Sequence, residues 1–177
     1  MVSDKTVLSY RKNTANIKIY GNTKNRRKTI RKATQWMISY VMGDRLANNV
    51  SVDISFFSDM KLSSHGEMWW IDTNSRPRYF EIVLNRNLSD RQLLKTLAHE
   101  VIHVNQYVTG DLKDFVCVKS QHSKWKKRYI KTDGVGRIPY RQLPWEIEAF
   151  RDQNALFTRW KDNFGIKFDR KGMIKYT

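Results

Sequence analysis

The segment from Ser89 to Gly110 constrains the fold more than any other, because its two ends and its apolar pattern all agree on one long helix. Ser89-Asp90-Arg91-Gln92 reads as a capping box: the serine hydroxyl takes an orphan amide of the first turn, and the glutamine side chain reaches back to the serine amide. A helix is therefore expected to begin near Asp90. From there Leu94, Leu97, Ala98, Val101, Val104, Asn105 and Val108 follow the i, i+3, i+4 spacing of a buried stripe, and Gly110 supplies a stop.

In the middle of that helix stands His99-Glu100-Val101-Ile102-His103. Two histidines four apart on a helix point the same way and can grip one zinc ion, with the glutamate between them facing a metal-activated water. A catalytic zinc takes three protein ligands and leaves one position open, so a third ligand must come from elsewhere in the chain. The best candidate is Glu146, in Pro144-Trp145-Glu146-Ile147-Glu148-Ala149, at the start of a second helix that can pack on the first. Three of the five glutamates of the chain fall in these two short stretches. Glu148 and His122 are rivals for the same place.

The two stretches together resemble the gluzincin branch of the zincin metallopeptidases. The likeness is nearest to small bacterial and phage metallopeptidase proteins with a His-Glu-x-x-His-Val-x-Gln helix, here His99 to Gln106, and a later Pro-Trp-Glu-x-Glu-Ala, here Pro144 to Ala149. It covers residues 78–160. It implies His99, His103 and Glu146 as zinc ligands, Glu100 as general base, and a protein or peptide as substrate. Tyr140 and His122 are candidates for the donor that steadies the oxyanion. Many relatives in the wider branch place an aspartate where this chain has Phe150, so Glu148 or an aspartate elsewhere is expected to orient a ligand histidine. His122-Ser123-Lys124-Trp125 is more faintly similar to the SprT-like metallopeptidases, which draw a third histidine from a comparable context and act on DNA-bound proteins.

The rest of the chain suggests an α+β domain spanning 1–177, with a basic N-terminal segment 1–43 and a minimal zincin core 44–165. Asn16 to Tyr20 is a candidate short strand. Thr23 to Met42 reads as a helix with Ile30, Ala33, Met37 and Val41 facing a sheet. Val50 to Phe56 alternates as a strand, and Glu67 to Asp72 and Arg78 to Asn85 are two more, joined by the turn-rich Asn74-Ser75-Arg76-Pro77. About three strands are thus expected in the sheet. By resemblance Arg78 to Asn85 would be the edge strand that takes a peptide substrate by strand addition, while Trp69 and Trp70 could line a substrate groove, although aromatics on a strand more often serve the core. Asp111 to Leu143 is too long for a simple connector and is expected to hold a β-hairpin with Gly134 and Gly136 near its tip. Pro144 opens the last helix, where Ile147, Ala149, Phe150, Leu156, Phe157 and Trp160 form its apolar surface.

A formal charge of +16 creates a field that draws polyanions. It concentrates in Lys24 to Lys32, in Lys124-Trp125-Lys126-Lys127-Arg128-Tyr129, and in Lys167, Arg170, Lys171 and Lys175. A solvated face explains such runs as readily as contact with nucleic acid or an acidic protein. A basic nucleic-acid- or virion-associated binding protein, with the metal serving structure only, is therefore the alternative to a peptidase. The single cysteine, Cys117, excludes an internal disulfide or a cysteine-rich zinc site, fits a reducing compartment, and is read as a small hydrophobe. Met1 to Tyr20 contains no signal-like apolar run, and no segment is apolar for the length of a membrane span. A cytoplasmic protein of a bacterium or phage-infected host is expected.

Overall fold

The structure, a computed structural model, describes residues 15–58, 65–117, 120–133 and 136–175, leaving aside the side chains of 116–117 and 120–121. It is α+β. The first sheet is formed by β1 (Asn16–Ile19), β2 (Ser51–Phe57), β3 (Gly66–Trp70) and β4 (Tyr79–Asn85), in the order β1-β2-β4-β3. Four strands therefore stand where about three were expected, because the short Asn16 segment pairs with β2. β1, β2 and β4 run parallel, and β3 returns antiparallel to β4. A parallel pair needs a crossover, which α1 (Lys24–Met42) and the short α2 (Asp44–Ala47) supply between β1 and β2.

One face of the sheet is apolar and the other polar, as the strand alternation requires. Val52, Ile54, Phe80, Ile82 and Leu84 are fully buried, and the buried stripe of α1, Ile30, Ala33, Met37 and Ile38, joins them in one core. On the opposite face Tyr20 and Tyr79 both donate to Asp53.

α3 (Asp90–Thr109) lies across the apolar face against β3 and β4. The capping box is present: Ser89 Oγ accepts from Gln92 N and the Gln92 side chain closes back on the Ser89 amide. Asp90, on the first turn, accepts from Arg26 Nε at 2.6 Å and from Ile174 N at 2.9 Å, which ties the start of the helix to α1 and to the C-terminal segment. Gly110 ends it in the left-handed region at φ 80°. Gly66 is required for a different reason. A Cβ there would lie 2.6 Å from Thr96 Cγ2, so only glycine lets α3 approach the edge of β3 this closely.

After α3 the chain forms a second, antiparallel sheet of β5 (Leu112–Cys117), β6 (Ser120–Trp125) and β7 (Arg128–Lys131). The expected hairpin is thus extended to three strands, and its β6–β7 turn falls at Lys126-Lys127 rather than near Gly134 and Gly136. Lys126 itself takes the left-handed φ of 55° that this tight reversal needs. Gly134 lies outside the described residues, as does the side chain of Cys117, and Gly136 follows the sheet in irregular chain.

A single 3-10 turn, Tyr140–Gln142, leads into α4 (Pro144–Asn163), which packs along α3. Trp145, Glu146, Ala149, Leu156, Phe157 and Trp160 are its buried face. Ile147 and Phe150, expected on that face, are 53% and 38% exposed. They are displaced because Glu146, not an apolar residue, occupies the position aimed at the middle of α3. Among the described residues no helix is long and apolar enough to cross a membrane.

Candidate metal centre

The stripe of α3 turns His99, Glu100 and His103 toward α4, where all three are at least nine-tenths buried. Pro144 fixes the first turn of α4 and places Glu146 two residues further on, opposite the histidine pair. The carboxylate bridges the two rings, with Oε2 at 3.3 Å from His99 Nε2 and Oε1 at 3.3 Å from His103 Nε2. The two Nε2 atoms are 3.1 Å apart. Burying two imidazoles and a carboxylate edge to edge requires positive charge between them, as a shared proton or as a cation.

A zinc ion fits this donor set. Tetrahedral zinc with Zn–N and Zn–O bonds of about 2.0 to 2.2 Å separates neighbouring ligand atoms by roughly 3.3 Å. The three separations here, 3.1, 3.3 and 3.3 Å, match that spacing. Among the described residues, His99, His103 and Glu146 are the group of His, Cys, Asp and Glu side chains whose donor atoms converge in this way.

The electrostatics reflect the same convergence. Burial works to raise the Glu146 carboxyl, but hydrogen bonding with His103 and His99, and with Tyr140, outweighs it and pulls the group down to about 2. Burial works to lower His103, while the hydrogen bond to Glu146 and the charges of Glu146 and Glu100 raise it. Glu100 is pushed up by burial against the opposing pull of the two histidines.

Tyr140 stands on the 3-10 turn beside this carboxylate. Its ring is 60% exposed, yet its hydroxyl end is desolvated and faces Glu146, so its pKa is raised and it remains a neutral donor. His122 lies elsewhere. It sits on β6, paired across the strands with Phe115 and Lys131, and is not a member of the converging group.

Glu148 is outside that group too, but it reaches His103 through a residue to which the sequence had assigned no role. Gln106, one turn beyond His103 and 1% exposed, accepts from His103 Nδ1 at 2.8 Å. Its amide nitrogen donates to Glu148 Oε2 at 2.9 Å and to the Trp145 carbonyl at 3.1 Å. The i+3 spacing from His103 was the available signal. His99 has no such support. Its Nδ1 is buried without a hydrogen-bond partner, and the Phe150 ring packs on it with centroids 4.6 Å apart.

The edge of the first sheet beside this centre is β3, not β4. β4 is interior, hydrogen-bonded to β2 and β3, so Arg78 to Asn85 is not the edge strand it was expected to be, and Gly66–Trp70 is. Glu67 on this strand is close enough for its charge to act on Glu100 and Tyr140. Trp69 and Trp70 are 43% and 38% exposed rather than core residues, with Trp70 against Tyr107 of α3 at 4.8 Å.

Comparison of the chain with family models, with curated proteins and with solved structures gave no match in any of the three. The likeness to zincin peptidases therefore rests on the two motifs and on what their residues do in this fold.

Proposed function

We propose that this protein is a zinc-dependent metallopeptidase, with His99, His103 and Glu146 holding the ion and Glu100 acting as general base. The observation that carries the reading is the meeting of three buried donor side chains from two helices, at the spacing of zinc ligands, beside a second buried carboxylate, that of Glu100. A zinc ion there would polarise a peptide carbonyl and bring the pKa of water to about 7.

The remaining work falls to the side chains. Glu100 takes the proton of the attacking water on its carboxylate and returns it to the departing amine, and its desolvation favours a group that holds a proton between the two steps. Tyr140, kept protonated by desolvation and by the neighbouring Glu146, supplies a hydroxyl to the oxygen that gains negative charge. A peptide laid along β3 would be held by main-chain hydrogen bonds to the sheet edge next to the ion, with Trp69 and Trp70 as side-chain contacts. A reducing cytoplasm, in a bacterium or a phage-infected host, is the setting that the lone cysteine supports.

The test is metal analysis of purified protein together with peptide cleavage by the parent chain and by Glu100→Gln. One zinc per chain in both, with cleavage falling by a factor of about 100 to 10,000 in the variant, is expected from removal of a general base. Cleavage that persists in Glu100→Gln refutes the assignment of that residue. Zinc binding with no cleavage by the parent chain leaves the protein a metal-stabilised binder instead.

A further inference from the structure

The second sheet has a buried face and an open one. Leu112, Ser123 and Trp125 turn inward, where Trp125 meets Trp145 of α4 at 6.3 Å and Ser123 and Tyr107 both donate to Asp114. The cross-strand register places the next residues of each strand together on the other side: Lys113 with Lys124 and Tyr129, and Phe115 with His122 and Lys131. Phe115 is 40% and Tyr129 67% exposed, with ring centroids 6.0 Å apart and Lys124 Nζ 5.4 Å from the Tyr129 centroid. None of these six paired strand residues is a carboxylate.

Two open aromatic rings on one sheet face, flanked by three lysines, combine the two elements that bind unpaired nucleotides: π-faces on which bases stack and cations that track the phosphates. A duplex keeps its base faces stacked inside and offers nothing to the rings. An acidic polypeptide would engage the lysines but gives no reason for exposed rings between them. The surplus of +16 charges adds long-range attraction for the same ligand.

We propose that the open face of the β5–β6–β7 sheet binds single-stranded nucleic acid, with bases stacked on Phe115 and Tyr129 and phosphates held by Lys113, Lys124 and Lys131. This surface is distinct from the metal centre, and its binding does not depend on the peptidase reading.

Fluorescence anisotropy of the full chain with a labelled thymidine strand of about 15 nucleotides tests it, since single-strand sites span roughly 4 to 16 nucleotides. The strand should bind more tightly than a duplex of equal length. Phe115→Ala with Tyr129→Ala should weaken binding about tenfold or more, whereas Tyr129→Phe, which keeps the ring, should not. If the double variant folds poorly, Tyr129→Ala alone reads the same contact. Lys113, Lys124 and Lys131 changed together to Gln should flatten the slope of log affinity against log salt by about 2, at roughly 0.7 per phosphate contact. Equal affinity for duplex, indifference to loss of the rings, or displacement of the strand by polyglutamate as effectively as by unlabelled strand would overturn the proposal. The last of these would point to an acidic protein partner. Zinc content and peptide cleavage are measured separately on the same samples, so failure of one reading leaves the other intact.

Discussion

Gln106 Oε1 and His103 Nδ1 are 2.8 Å apart, and the far side of the same amide donates to Glu148 and to the Trp145 carbonyl. Those two acceptors determine which way the amide faces, because its NH2 group must point at them and its oxygen at the imidazole. The proton of a neutral His103 is then held on Nδ1, leaving the Nε2 lone pair directed at His99 and Glu146. One buried glutamine therefore joins α3 to α4 and selects the tautomer that a metal ligand needs.

Gln106→Met keeps the volume of the side chain while removing both ends of this bridge. Zinc affinity, read by competition with a chelating dye, is expected to fall about 10- to 100-fold. Unchanged affinity in a folded variant would show that the bridge only joins the helices.

Removing the metal should destabilise the fold, since Glu146 and the two histidines are buried and depend on charge at their centre. Thermal melts in chelator and in excess zinc should differ, with zinc at 100 times its dissociation constant adding about 2.7 kcal/mol. Glu146→Gln should abolish most of that difference by removing the anionic ligand. A chelator-insensitive melt would argue against a resident ion.

Arg26 and Asp90 form a further polar junction on α3, part-buried at its first turn. The guanidinium also donates to the carbonyls of Arg86 at 3.0 Å and Leu88 at 2.7 Å, so the pair clamps the first turn of α3 to the loop before it. Arg26→Ala leaves Asp90 buried beside vacated space and should cost about 3 kcal/mol in denaturant unfolding. A loss under 1 kcal/mol would mean that water replaces the arginine without penalty.

Asp72 gives a pH-dependent contribution. Partial burial works to raise its carboxyl, but the amides of Arg78, Tyr79 and Asn74 bond to the ionised form and leave the group below the usual carboxylate range. A depressed folded value means that this stabilisation is fully present above the ordinary value of 3.8 and is lost as pH falls through the lower folded value. The parent chain should therefore exceed Asp72→Asn in stability at pH 6, by about 1 to 2 kcal/mol, and converge on it only once the pH has fallen below the depressed folded value. A gap that is constant across that range would assign the effect to shape rather than charge.

The parts of the fold written in local chemistry were the legible ones. The capping box at Ser89 and the glycine stop at Gly110 delimit α3 to the residue, and the spacing of His99 and His103 needs nothing but the helix itself. Glu146 was recoverable because glutamate is scarce in this chain and Pro144 marks a helix start. What escaped reading depends on contacts between distant segments. β1 joins the sheet only through β2, and β4 is interior only because β3 folds back outside it. Ile147 and Phe150 fit an apolar stripe by type, but α4 is rotated to present Glu146 and Trp145 instead. In the 111–143 region no local signal distinguishes two strands from three, and the left-handed turn falls on Lys126, a residue type that does not announce it.

Phe150 and His99 supply the last prediction. The Nδ1 atom of His99 is buried without a partner, and the Phe150 ring packed on this imidazole has nothing to accept a proton. An unpaired buried donor costs about 1 to 3 kcal/mol, and a ligand imidazole without an oxygen on its second nitrogen is a weaker base toward a metal. Phe150→Asp places a carboxylate on the α4 turn that faces this nitrogen, whereas Phe150→Ala only opens it to water. If the bare nitrogen limits the site, the aspartate variant should bind zinc about tenfold more tightly than the alanine variant, measured with the same chelating dye. Equal affinities for the two would show that the carboxylate does not reach His99 and that the phenylalanine serves only to keep solvent from the ring.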